Sequence, residues 1–349
     1  MDGLEQPGLK RAISMKRIAT FSALALLVLL IAATGAWGAL ALSYSGPNDT
    51  LLRNGLAILF SVVSLAAVLA TALGYGRRHV LAVYLVLFGV LLAWWFSIEP
   101  SNDRDWQPSV AQLPWAKVEG DIVTLHNIRN FSYRSETDYT PAWYEKSFDL
   151  RQFEGVDLVT SYWMGPDIAH VFVSFAFAGG EHLAVSIETR TQKGEGYSTL
   201  KGFFRQYELY YVVADERDVI RLRTNYRRDP PEDVYVYRLK GAPEAGRRFF
   251  LEYINQINAL RARPEFYNTL TTNCTTNIWM NSRVNPEHLP LSWKILASGH
   301  VPEFLHEHGR LDAGDLPFAE IQRQAHINSR AQAAGPASDF SRLIRAAGQ

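Results

Sequence analysis

The stretch His170–Arg190, HVFVSFAFAGGEHLAVSIETR, decides how this chain is read. Two segments of alternating character flank Gly179 and Gly180. Alternation at a period of two marks a strand, and a glycine pair between two such runs marks a hairpin. Val171, Val173, Phe175 and Phe177 share one face, which Leu183, Val185 and Ile187 continue on the second strand. The other face carries His170, Ser174, Ser186, Glu188 and Arg190. With a loop of Ala178 to Gly180, Ser174 pairs with Ala184 and His170 lies directly across from Glu188. Cross-strand partners on one face have Cβ atoms about 5 Å apart. That distance suits a histidine whose tautomer and charge are held by a carboxylate. The plain alternative is a surface ion pair without a task.

A second stretch, YNTLTTNCTTNIW from Tyr267 to Trp279, holds the single cysteine of the chain, Cys274. Structural cysteines sit among apolar neighbours; this one is surrounded by Thr271, Thr272, Asn273, Thr275, Thr276 and Asn277. The flank reads as a loop entering a helix. A thiol at a helix N-terminus is acidified by unpaired backbone N–H groups and the helix dipole, and a neighbouring base completes the activation. The N–H of Cys274, with Asn273, is a candidate oxyanion hole. The alternative is an incidental free cysteine at a helix cap.

The surrounding pattern is α+β. Ile122–Leu125, Val156–Trp163, Leu209–Ala214, Val219–Arg223 and Val234–Leu239 join the hairpin as expected strands. Pro243 to Leu260 reads as a helix, with Phe249, Phe250, Tyr253, Ile254, Ile257 and Leu260 at helical spacing. A helix is also expected from Cys274 to about Asn281, and a mostly helical run over Leu291–His306. Further candidates around the site are His126, Ser174, Arg190, and Glu195 with Tyr197 as a lip. His182 is expected at the surface by the hairpin turn. The run Glu216, Arg217, Asp218, Arg221, Arg223 is expected on a solvated sheet face or in an ion-pair network. His300, His306 and His308 lack a matching carboxylate set, so no metal site is read from them.

The N-terminal third differs in kind. Ile18 to Leu42 is 25 residues without a charge, and Gly55–Gly76 and Val80–Ile98 are two more such runs. Each is long enough to cross a hydrocarbon core as a helix. Gly35–Ala39 imitates a cleavage site, but the first run is long for a signal sequence. Lys10, Arg11, Lys16 and Arg17 precede it, and Arg77 and Arg78 lie between the second and third runs. These clusters are expected inside, which places the chain after Glu99 outside. The expected divisions are a basic cytoplasmic N-terminus (1–17), a three-span region (18–98), a linker along the membrane surface (99–115), the outer domain (116–310), and a peripheral helix with a frayed tail (311–349).

Composition narrows the classes. Lys+Arg and Asp+Glu are 35 each, and 48% of the 349 residues are hydrophobic. The charge balance argues against a nucleic-acid partner, and one cysteine excludes a disulfide scaffold or a thiolate metal cluster.

At AHVFVSFAF, LAVSIETR, KGEGYS, GFFRQYELYYVVADERDVIRLRTN, VYVYRL and FYNTLTTNCTTN, covering about 119 to 310, the sequence resembles the Lnb N-terminal periplasmic domain family. The resemblance implies a permuted papain-like or NlpC/P60-like thiol-enzyme domain, here behind a bundle of three transmembrane helices, in which the histidine precedes the cysteine. It implies His170 as general base, Glu188 as orienter and Cys274 as nucleophile. The family takes its name from a lipoprotein N-acyltransferase of Bacteroides-type bacteria, so the resemblance further implies an acyl group moved from a membrane phospholipid to a lipoprotein amino terminus.

The leading expectation is therefore an inner-membrane-anchored cysteine acyltransferase that works through a thioester, with its domain in the periplasm. The same dyad would serve a cysteine peptidase or amidase acting on envelope peptides or peptidoglycan. A third reading, a non-catalytic envelope binding or assembly protein, requires that Cys274, His170 and Glu188 stay apart. The proposed chemistry calls for no cofactor.

Overall fold

A computed structural model describes residues 7–346. The expected cytoplasmic N-terminus and the tail fall partly outside it, at residues 1–6 and 347–349. The chain forms two compact units, residues 1–99 with 204–206, and residues 100–203 with 207–349.

The first unit is helical. Helices α1 (Pro7–Ser45), α2 (Thr50–Leu73) and α3 (Arg77–Ser97) contain the stretches Met15–Ser45, Thr50–Leu73 and Arg77–Ser97, each long and apolar enough to cross a membrane. Asp49 caps α2, its carboxylate accepting the Leu52 N–H at 2.8 Å. That helix stops before the expected Gly76 because Gly74 turns left-handed (φ 85°) and returns its N–H to Ala70. Arg77 and Arg78 thus open α3 rather than sit in the turn. Glycines on α1 allow close helix packing: a Cβ at Gly38 would lie 2.4 Å from the Phe60 ring.

The second unit is built on an eight-stranded sheet. Its strands are β1 (Trp115–Glu119), β2 (Ile122–Arg129), β5 (Trp143–Asp149), β6 (Phe153–Tyr162), β7 (Ala169–Phe177), β8 (Glu181–Arg190), β9 (Glu208–Ala214) and β10 (Asp233–Arg238). The order is β1-β2-β9-β8-β7-β6-β10, with β5 paired to β2. A separate two-residue ladder joins β3 (Ser132–Tyr133) to β4 (Tyr139–Thr140). The β2–β9 pair is parallel and the others are antiparallel.

Both faces of the sheet are buried. Val171, Val173, Phe175 and Phe177 meet Phe249, Phe250, Tyr253, Ile254 and Ile257 of α5 (Pro243–Ala262). The other face carries Phe172, Ala184, Tyr210 and Val212 and is covered by three helices. These are α4 (Glu216–Arg221), α10 (Asn328–Ala334) and α11 (Phe340–Leu343). Polar groups on that face are therefore enclosed and need partners.

Three expectations change here. Val219–Arg223 is not a strand: Glu216–Arg221 is helical and Leu222–Tyr226 continues as a wider turn. Asp215 in extended conformation precedes Glu216 and Asp218 in the first turn, a helix-start pattern that outweighs five alternating residues. The stretch 100–115 is no surface linker but part of the sheet unit. Trp106 is buried, Arg190 donates to the Val110 and Ala111 carbonyls at 3.0 and 2.9 Å, and Tyr210 donates to Gln112 at 2.7 Å. The tail is not frayed through residue 346 either: Ile327, Ala331, Phe340 and Ile344 are buried, because the second face of the sheet needs a cover. Between them, α9 (Phe318–Ala325) packs by β10.

Candidate active site

The β7–β8 hairpin has the expected register at its turn, with Ser174 opposite Ala184, but the ladder ends at Val173–Val185. Beyond that point β7 pairs only with β6 and β8 only with β9. The sheet opens between them where His170, Ser186 and Glu188 lie. His170 is therefore not ladder-paired with Glu188, as strict alternation predicts. Its Nε2 is 2.7 Å from the Ser186 hydroxyl, which donates to Glu188 Oε1 at 2.7 Å, and Nε2 to Oε1 is 3.5 Å.

That chain of bonds sets the tautomer. A carboxylate only accepts, so the one hydroxyl proton of Ser186 goes to Glu188. The Ser186 oxygen must then accept from His170 Nε2–H. Nδ1 is left as the ring nitrogen available to a thiol.

Cys274 supplies the thiol. It is the first residue of α6 (Cys274–Ser282). Asn273 caps the helix: its Oδ1 accepts the Thr276 N–H at 2.9 Å, and Thr276 Oγ1 accepts the Asn273 N–H at 2.9 Å. The sulfur lies beside His170 and near the backbone N–H groups of Val171 and Thr275, all of which favour the thiolate. The Val171 N–H is there because the ladder has opened. Burial pushes the Cys274 thiol up, but the His170 bond and charge and those two N–H groups outweigh it, so the thiol is more acidic than usual. Burial and the Arg223 guanidinium disfavour a charged His170; the neighbouring Cys274 sulfur and the Glu188 carboxylate, 3.5 Å away, prevail and raise its basicity. Glu188 is lowered well below the carboxylate range: burial opposes ionisation, while His170, Arg223 and Arg129 favour it. The three shifts support a thiolate–imidazolium pair backed by a carboxylate.

Two residues of the site escaped the sequence reading. Arg223 donates to Glu188 Oε1 at 3.0 Å and faces Glu232 at 3.8 Å. It belongs to the charged run expected on a solvated sheet face or in an ion-pair network, and the second holds for it, since it is 3% exposed and paired with Glu188 and Glu232. Tyr267 is buried next to Cys274; burial and the sulfur's charge push its hydroxyl up, so it stays neutral. Its place in the FYNTLTTNCTTN motif was the one available signal.

Several expected lining residues lie elsewhere. The Asn273 side chain caps α6 through Oδ1 and donates one N–H of Nδ2 to the Thr269 carbonyl at 2.8 Å. His126 stacks on Trp115 at 3.6 Å and pairs with Glu145 at 2.5 Å, on the edge strands β1 and β5. Ser174 is one strand-turn deeper, beside Glu216. Arg190 lies over the Trp106 ring and holds residues 110–111 in place. The Glu195 carboxylate accepts the Gln192 N–H in its own turn. Tyr197 alone stands at the rim: it is exposed and hydrogen-bonds Tyr267.

The His182 side chain is 7% exposed, not at the surface as expected. Among the described residues, Asp157, His182 and Glu216 bring possible ligand atoms within 4.8 Å of one another. Arg238 and Arg345 already occupy these carboxylates, Arg238 on Asp157 at 2.6 Å and Arg345 on both, so the cluster fits an ion-pair network better than a cation. His300 pairs with Asp167 at 2.9 Å, while His306 and His308 bond backbone carbonyls.

No curated protein and no solved structure matches the chain. The three apolar helices and the sheet unit fit a membrane-anchored envelope protein. Residues 139–299, which hold His170, Ser186, Glu188, Arg223, Tyr267 and Cys274, match the model of the Lnb N-terminal periplasmic domain family.

Proposed function

We propose that this protein is a membrane-anchored cysteine acyltransferase that forms a thioester on Cys274. The observation that carries the proposal is the convergence of Cys274, at the start of α6, on His170, with His170 linked to Ser186 and Ser186 to Glu188 at 2.7 Å each. His170 Nδ1 takes the thiol proton, and the thiolate attacks the carbonyl carbon of an acyl ester. The N–H of Cys274, at the open start of α6, receives the developing oxyanion. The C–O bond breaks and the alcohol leaves with the proton from His170. An amine then attacks the thioester, His170 takes its proton, and the C–S bond breaks to give an amide and free Cys274.

The helical unit suits such a substrate because it keeps the site at a bilayer. Lys16, Arg17, Arg77 and Arg78 favour an N-terminus inside and three crossings, which puts the sheet unit in the periplasm. The donor is then a membrane phospholipid and the acceptor the amino terminus of a lipoprotein.

Intact-mass analysis of the purified protein in phospholipid tests the proposal. An acyl adduct is expected on the wild type and none on Cys274→Ser. Full activity in Cys274→Ala would overturn the thiol mechanism. An adduct that is released to water, with no amide formed when an amine acceptor is supplied, would make the protein a hydrolase instead.

A further inference from the structure

Beside the candidate site lies a cavity of about 350 Å3, between β6–β7 and the helices α5, α6, α7 (Trp293–Leu296) and α8 (Val301–Glu307). Its inner walls are apolar, with Val173, Ile278, Val301 and Leu305 among them. Protein interiors are otherwise close-packed, and the apolar inner part of a pocket like this one favours apolar ligands. Its size falls in the small-ligand range of about 300–1,000 Å3. The outer end is bordered by exposed residues, including Lys240 and Arg248.

Two residues connect this chamber to the chemistry. Val171 and Thr275 line it, and their backbone N–H groups are the two that reach the Cys274 sulfur. Thr275 follows Cys274 in the chain, so the chamber wall begins at the residue next to the nucleophile. A polar substituent on the carbonyl would lose its hydration there without gaining partners, whereas a hydrocarbon chain gains at every methylene.

We propose that this chamber takes the hydrocarbon tail of the acyl group carried on Cys274, and so selects acyl donors by chain length. The inference rests on the thiol mechanism above and adds to it where the chain goes. In the acylated protein the tail passes between Val171 and Thr275 and lies against Ile278 and Leu305.

The test uses full-length protein in lipid nanodiscs with p-nitrophenyl acetate, butyrate and octanoate. Each ester acylates the thiolate and expels p-nitrophenolate, and the burst rate is divided by the rate of the same ester with 2-mercaptoethanol. The corrected octanoate rate is expected to exceed the acetate rate by at least about tenfold, given the gain for each buried methylene. Leu305→Trp, which fills the chamber, should lower that ratio about tenfold by removing the same gain. A wild-type ratio near one, with acetate still acylating Cys274, overturns the chamber and leaves the thiol mechanism standing. An equal loss on both esters in Leu305→Trp also overturns it. If no ester acylates Cys274, the thiol mechanism falls and the chamber assignment with it.

Discussion

The His170 imidazole is hydrogen-bonded to the Ser186 hydroxyl at 2.7 Å, and this contact, rather than a direct histidine–carboxylate bond, orients the ring. Glu188 acts through Ser186, with its own oxygen 3.5 Å from the imidazole. Ser186→Ala should therefore loosen the ring and cut the acylation rate about tenfold to a hundredfold, as expected for a misplaced base. The thiol pKa, read from the pH dependence of alkylation, should rise in the same variant. A purely structural role would lower the melting temperature and leave that pH profile in place.

Iodoacetamide alkylation reports the thiolate directly. With the thiol lowered and the imidazole raised, the ion pair exists above the Cys274 pKa and below that of His170. Wild-type alkylation should stay fast below the usual thiol range. His170→Ala removes the neighbour that most favours the thiolate and should move the midpoint back up toward an ordinary thiol. Mass spectrometry of the alkylated peptide at stepped pH checks this, and an unchanged midpoint would count against the pair.

Asn273 acts on the helix start. Asn273→Ala removes the cap on the Thr276 N–H and should cost about 1 kcal/mol of stability, visible in urea unfolding. Asn273→Ser should recover most of that loss.

The carboxyl-terminal segment is anchored by a buried charge cluster. Arg345 binds Glu216 at 2.5 Å and Asp157 at 2.7 Å, and both carboxylates are essentially enclosed. Arg345→Ala should cost about 3 kcal/mol because the buried Glu216 loses its arginine partner, while Asp157 keeps Arg238. Burial pushes Glu216 up, but Arg345 overrides it and brings the group down to about 2. A depressed carboxylate contributes stability above its unfolded value of 4.5, and the contribution fades as pH falls toward about 2. The difference in melting temperature between wild type and Arg345→Ala should therefore shrink on acidification through that window. If removal of residues 340–349 left the melting temperature unchanged, the segment would have no structural part.

The amino-acid sequence by itself determined the features that depend on neighbours along the chain. Three uncharged runs are helices because backbone hydrogen bonds close locally. The period-two alternation of His170–Phe177 and Leu183–Arg190 is the observed hairpin, with Ser174 opposite Ala184. The apolar spacing from Pro243 marks α5, and the polar flank of Cys274 marks the start of α6. Tertiary structure decided what alternation leaves open, since a period of two says which residues share a face but not what covers it. The polar face of β7–β8 could have met water; instead α4, α10 and α11 enclose it, so Arg190 became an internal partner, Ser174 was buried and Arg223 reached Glu188. Likewise, strand pairing continues only while two strands stay in reach. The opening past Val173–Val185 brought Ser186 to His170 and turned the Val171 N–H toward Cys274, a consequence of packing about 100 residues of intervening chain that no local pattern encodes.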